Sequence, residues 1–207
     1  MELAVFDPLT ALQNRCYLSS HFDTPLEESA DRGCAPSVLL IDIDRFKAIN
    51  DTHGHDTGDD VLRELVLRLR RNIRGIDLAC RHGGEEFVVV MPHTSLYSAY
   101  VVGECLRQCL AAAPFIVGAN NLPVNVTASI GVAALEYEND TPELIMKHAD
   151  QALYCAKRDG LAIGSSTMPP KALDVTAHCL RPAANHLDGV QNGGSGRQGH
   201  FLTRIPT

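Results

Sequence analysis

Two strand-like stretches, Leu78 to Arg81 and Glu86 to Met91, are separated only by His82-Gly83-Gly84-Glu85. Short apolar runs joined across glycines read as a β-hairpin, so the middle of this chain is committed to antiparallel pairing. Gly83 and Gly84 are expected to allow left-handed backbone and to leave the main chain bare for close approach by a ligand. Glu85 and Glu86 follow at once. Two adjacent carboxylates on such a turn suit a hard divalent cation, above all Mg²⁺ carrying nucleotide phosphates. Taken alone, the motif reads equally well as a hairpin turn with solvated acids.

The flanking sequence supplies partners for the hairpin. Val38-Leu39-Leu40-Ile41 is a continuous apolar run, the mark of a central strand covered on both faces. It ends at Asp42-Ile43-Asp44 and so places carboxylates at a strand terminus. From Gly58 to Arg74 the pattern is helical: Val61, Leu65 and Leu69 recur every fourth residue, and Leu62, Val66 and Ile73 widen the stripe. Ser95 to Ala113 reads as a second amphipathic helix and Val124 to Ala134 as another strand. Thr141-Pro142-Glu143 opens a last helix with an N-cap and a proline at its first position. Helices and strands alternate around an antiparallel hairpin, which gives an α/β (α+β) fold, a mixed sheet with helices packed on it.

At 207 residues the chain suits one domain with a substantial core, plus some excess. Residues 1–163 carry the periodic patterns. Residues 164–207 do not: Gly164-Ser165-Ser166, Pro169-Pro170 and Gly193-Gly194-Ser195-Gly196 mark a flexible, disordered extension, with a short helix around 171–180 as its one candidate element. A net charge of −7 argues against generic binding to nucleic acid or an anionic membrane. No apolar run approaches the ~20 residues of a membrane span, and Met1-Glu2-Leu3 lacks the basic start of a secretory signal. Seven cysteines form no CxxC pair. Cys105 and Cys109 share a helix face without a histidine to complete a metal site, so thiols in a reducing cytoplasm are expected.

Asp42 ends one strand and Glu85 sits on the hairpin turn; if those strands are neighbours, the acids converge. Five segments around them, in order, resemble the GGDEF domain of diguanylate cyclases, over about Phe6 to Gly160. Asp7-Pro8-Leu9-Thr10-Ala11-Leu12-Gln13-Asn14-Arg15 is similar to the opening DxLTGLxNR. Leu40 to Asp51 resembles the strand and short helix that hold metal and guanine. His53-Gly54-His55-Asp56-Thr57-Gly58-Asp59 is similar to GHxxGD. Gly83-Gly84-Glu85-Glu86-Phe87 is the GGEEF form of the signature, and Ala128-Ser129-Ile130-Gly131-Val132-Ala133 resembles the strand called SIGVA. The fold this implies is a nucleotidyl-cyclase palm-like five-stranded mixed sheet wrapped by helices.

The resemblance also implies a chemistry: two GTP molecules condense to cyclic di-GMP across a homodimer, with Mg²⁺ or Mn²⁺ as cofactor. It assigns the metal to Asp42, the carbonyl of Ile43 and Glu85, with Glu86 assisting, and makes Glu85 the proton acceptor. Lys47 and Lys157 would contact phosphate, helped by backbone amides near Phe46, and Gly83 and Gly84 would let the nucleotide lie against bare backbone. Asn50 and Asp59 would read the guanine edge. Arg74 and Asp77 match an RxxD motif that binds the product and inhibits. Considered singly, Asp44 reads as a helix N-cap rather than a ligand, Asp59 as a charge at a helix start, and Lys157 as a solvated helix-end charge.

The likeness stops at Ala156-Lys157-Arg158-Asp159-Gly160-Leu161-Ala162, where the family's AKxxGRN has lost its arginine and asparagine. An upstream sensory or receiver domain, which the family uses to pair catalytic domains, is absent from these residues. The expectation is a cytoplasmic cyclase. The alternatives are a catalytically weak or inactive domain that serves as a cyclic di-GMP receptor, or a GTP-binding regulatory module.

Overall fold

The computed structural model of the chain describes residues 5–22, 36–135, 141–159 and 163–165. Its main sheet is centred on β2 (Ser37–Ile43), in which every residue is buried. An apolar run with no polar face has to be covered twice. β4 (Glu86–Met91) and β7 (Ala128–Ala134) flank it, both antiparallel. β3 (Leu78–Arg81) pairs antiparallel with β4, and β8 (Ile163–Ser165) lies parallel to β7. These five strands are the expected palm-like mixed sheet. The two-residue β1 (Gln13–Asn14) adds a parallel edge to β3, giving the order β1-β3-β4-β2-β7-β8.

Each face of the sheet has its own core. Leu39, Ile41 and Ile43 of β2, with Phe87 and Val89 of β4, pack under α3 (His55–Asn72) and α4 (Leu96–Ala111). The helical stripe expected at Val61, Leu65 and Leu69 is the buried face of α3. Val38 and Leu40, with Val88 and Val90, pack under α1 (Arg15–His21) and α5 (Pro142–Asp159). The short α2 (Phe46–His53) follows β2 almost at once. Where α5 crosses β7, the backbones come close: a Cβ at Gly131 would lie 2.1 Å from the Ala149 carbonyl oxygen and 2.5 Å from the Leu153 amide nitrogen. The absent side chain is what sets the height of α5 above the sheet.

Several boundaries differ from the sequence reading, each for a local reason. α3 begins at His55, not Gly58, because Gly54 adopts φ 86° and lets the chain turn straight from α2 into the next helix. It ends at Asn72, whose side chain donates to the Arg68 carbonyl, and Ile73 is already extended. The strand expected over 124–134 is broken. β6 (Leu122–Val124) pairs with β5 (Phe115–Val117) in a separate hairpin, and β7 starts only at Ala128. Residues 125–127 turn toward β2 instead, where the Thr127 carbonyl accepts from the Asp44 amide at 2.9 Å.

Gly83 and Gly84 do not take the left-handed backbone expected of them; among the described residues only Gly54 and Gly118 are glycines with positive φ. A Cβ at Gly83 would touch only the mobile carboxylate of Glu86, at 2.6 Å from Oε2, and one at Gly84 would meet open space, so neither position demands glycine for room. Gly164 and Ser165, read as the start of the extension, instead complete β8 opposite Gly131 and Val132. Backbone pairing needs no apolar periodicity, which is why the pattern missed them. The remainder of the extension, with its candidate helix at 171–180, lies outside the described residues. Cys16, Cys80, Cys109 and Cys155 are free thiols, as expected, but Cys105 is disulfide-bonded.

Candidate active site

The register of β2 on β4 sets Asp42 opposite Glu86, and the Ile43 amide donates to the Glu85 carbonyl at 3.4 Å. The end of β2 and the hairpin turn are therefore side by side. Asp42, Ile43, Glu85 and Lys157 line one cleft of about 980 Å³. Lys157 reaches in from the last turn of α5, its Nζ 2.7 Å from Asp42 Oδ1. Burial pushes the Glu85 carboxyl above its usual 4.5; the charges of Asp42 and Glu86 push the same way, and Lys157 opposes them. A carboxyl whose proton affinity is raised by neighbouring carboxylates sits in a field that favours a cation.

The donors are all hard oxygens. Among the described residues no group of three or more His, Cys, Asp or Glu is arranged to hold a metal, so the protein's share would be the two carboxylates and a backbone carbonyl. That set suits Mg²⁺, which keeps several waters and takes substrate phosphates as further ligands. Glu86 stands apart from the cleft. Its side chain opens on a smaller hollow beneath α5 that it shares with Lys147, Tyr154 and Lys157.

Asp44 is not the helix N-cap expected of it. The capping position of α2 belongs to Arg45, in left-handed backbone at φ 56° and without a side-chain cap. The Asp44 carboxylate instead accepts from Thr127 Oγ1 and Ser129 Oγ, both at 2.7 Å. It clamps the strand end that carries Asp42 to the start of β7. A second tie lies beyond the hairpin. Arg81 Nη2 donates to the Gly84 carbonyl at 2.8 Å, while its Nη1 reaches Asp7 on the N-terminal segment. Asp7 also accepts from the amide and hydroxyl of Thr10. Sequence reasoning gave neither Asp44 nor Arg81 this role, although Asp44 stands inside a quoted motif and Arg81 ends the strand before the glycine turn.

The remaining candidates do not line this cleft. Lys47 is exposed, and Phe46 is buried in the core. Asn50 packs against α3: a Cβ at Gly58 would lie 1.9 Å from its Oδ1, and that oxygen is buried without a hydrogen-bond partner. Asp59, partly exposed, follows Gly58 on the same helix. The cleft runs instead along the opposite side of α2, past Arg45, Ile49 and His53 to Asn125. Arg74 and Asp77 lie in the turn after α3. The Asp77 side chain is wholly buried and accepts from the Arg74 amide at 2.7 Å, while the Arg74 side chain is 53% exposed and also bonds the Thr94 hydroxyl. Burial raises the Asp77 carboxyl, against the opposing pull of Arg74. Leu161, where the family's arginine is lost, lies outside the described residues.

Known proteins resemble this chain in sequence and in fold. The family model described as diguanylate cyclase, GGDEF domain, matches residues 4–162. The response regulator PleD of Caulobacter vibrioides is 51% identical over 160 residues, covering 77% of this chain and 35% of PleD. The GGDEF domain of DgcB from Caulobacter crescentus, solved in complex with c-di-GMP, superposes with a TM-score of 0.75 at 29% identity, over 81% of this chain and 96% of that one. The active GGEEF domain of a diguanylate cyclase from Vibrio cholerae gives a TM-score of 0.68 at 33% identity, over 75% of this chain and 98% of that one. The chain spans about a third of PleD's length. With five motifs in order, the palm-like sheet and a model match over most of its length, the chain belongs to the GGDEF family of diguanylate cyclase domains.

Proposed function

We propose that this domain condenses two GTP molecules into cyclic di-GMP, releasing two pyrophosphates, in the cytoplasm. Each half-site holds one GTP, so the active unit is a dimer of two domains, which an upstream sensory or receiver domain would bring together. Each 3′-hydroxyl attacks the α-phosphorus of the other nucleotide; one P–O bond forms as the bond to pyrophosphate breaks. Asp42, the Ile43 carbonyl and Glu85 would hold Mg²⁺ or Mn²⁺, with Glu86 adjacent, and the bound ion would neutralise phosphate charge and acidify the hydroxyl. Glu85, on the turn beside the attacking hydroxyl, accepts its proton. Lys47 and Lys157 bind phosphate as charged donors. Asn50 and Asp59 read guanine, whose N–H donors would satisfy the orphaned Asn50 oxygen.

The observation that carries this reading is the meeting of Asp42, Glu85 and Lys157 in one cleft. The test is to incubate the purified chain with GTP and Mg²⁺ and to look for cyclic di-GMP by chromatography. Asp42→Ala and Glu85→Ala should each cut the product at least about a hundredfold, since several kcal/mol of charge stabilisation is lost, with melting little changed. No product from the parent chain, or near-normal turnover in either variant, overturns it. A second reading, a cyclic di-GMP receptor, is favoured by one observation: the half-exposed Arg74 guanidinium, away from the acids and braced by buried Asp77. The two readings are compatible, since product bound at Arg74 and Asp77 would inhibit the enzyme.

A further inference from the structure

Lys157 stands at the boundary of two hollows. One is the cleft of Asp42 and Glu85; the other, of about 400 Å³, is lined by Glu86 and Lys147. Its ammonium is 2.7 Å from Asp42 Oδ1, the carboxylate that the reading above gives to a divalent cation. The Asp42 side chain is only 10% exposed, so there is little water to screen a second positive charge brought to it. The Lys157 side chain is 43% exposed, so its flexible stem can leave without disturbing the core. The second hollow gives it somewhere to go, beside Glu86.

We propose that Lys157 is the resident counter-cation of Asp42, that an arriving divalent ion displaces it, and that this exchange couples metal binding to nucleotide binding. The inference rests on the reading of the cleft as a metal and GTP site. In the nucleotide-free chain the ammonium competes for Asp42 and weakens metal binding. A phosphate that draws Lys157 away leaves Asp42 to the ion, and an ion at Asp42 leaves Lys157 to the phosphate. Each ligand thus removes the other's competitor, and linkage requires the coupling factor to be the same in both directions.

The experiment titrates Mn²⁺ into the full chain without nucleotide and reads unbound Mn²⁺ by electron paramagnetic resonance. Wild type is compared with Lys157→Met, which keeps the stem and removes the charge, and with Lys147→Met. The latter removes the same charge from the same helix, away from the cleft. Lys157→Met should bind Mn²⁺ roughly two- to fivefold more tightly than wild type, the scale of a partly exposed ion pair, and Lys147→Met less than about twofold. With a GTP analogue carrying a methylene between its α and β phosphates, the gain in Mn²⁺ affinity that the analogue confers should shrink in Lys157→Met. Unchanged Mn²⁺ affinity in Lys157→Met, an equal gain in Lys147→Met, or no binding to either chain at millimolar Mn²⁺ overturns the proposal. Tightening in Lys157→Met by a chain that makes no cyclic di-GMP would keep the counter-cation and sink the cyclase reading; turnover without tightening would do the reverse.

Discussion

Arg81 Nη1 lies 3.1 Å from each carboxylate oxygen of Asp7, joining the N-terminal segment to the strand that leads into the signature turn. Both side chains are mostly buried, at 16% and 17% exposure. The same guanidinium holds the Gly84 carbonyl. The opening motif is thus fastened to the hairpin through one arginine.

That tie gives a pH signature. Burial alone would raise the Asp7 carboxyl, but hydrogen bonds from Thr10 and the charge of Arg81 outweigh it and hold the group below 3.8. The folded state therefore binds its proton later than the unfolded chain does. The stabilisation is full above the unfolded value near 3.8 and is lost as pH falls through the lower folded value. Asp7→Asn should melt below wild type at pH 7, and the gap should close as pH drops below about 4. A gap that stays constant down to pH 3 would show that the charge on Asp7 contributes nothing.

Asp44 is expected to matter through position rather than contact. Asp44→Ala leaves the hydroxyls of Thr127 and Ser129 without their acceptor and frees the end of β2. Hydrogen bonds to a charged group contribute about 1.5–3 kcal/mol, so a stability loss of about 2–3 kcal/mol is expected, with turnover falling further than melting explains. Thr127→Val combined with Ser129→Ala should lose turnover in the same way. Full activity in that double variant, measured well below its melting temperature, would remove the clamp from the mechanism.

Gly58→Ala tests the guanine assignment. Alanine inside a helix ordinarily stabilises by roughly 0.5–1 kcal/mol relative to glycine. Here the new methyl would lie 1.9 Å from Asn50 Oδ1 and displace that side chain. The expected result is no stability gain and a several-fold higher KM for GTP. The parent's preference for GTP over ATP should reach ~10⁴-fold and narrow in the variant. A stabilised variant with unchanged KM and selectivity would exclude Asn50 from base reading.

Arg74→Ala should weaken cyclic di-GMP binding, measured by calorimetry, and relieve product inhibition while initial rates stay normal. Asp77→Asn keeps an acceptor for the Arg74 amide and removes a buried charge, so it should disturb product binding less. Equal product affinity in wild type and Arg74→Ala would place the inhibitory site elsewhere.

The sheet was legible because its signals are local. The apolar run at 38–41 and the glycine-split strands at 78–91 each state their own conformation, and the motifs that end them place Asp42 and Glu85. What escaped was set by distant pairing. Asp44 meets Thr127 across 83 positions of sequence, so its partner is visible only once β2 and β7 are side by side. The hairpin of β5 and β6 left a fainter trace: Gly118 and Asn121, at φ 71° and 52°, are residue types that tolerate left-handed backbone at a turn. Lys157 looked like a solvated helix end because nothing in its neighbourhood of the chain names Asp42 as its partner.

Gly131 bears no chemistry, yet it holds a veto over the chemistry. A single methyl there would act as a wedge beneath α5, and α5 is the arm that carries Lys157 to Asp42. Mutational drift that spares every acid and every lysine could still silence the cleft from this one strand position. Its tolerance is governed by clearance alone, so polarity, charge and helix preference offer no route around it.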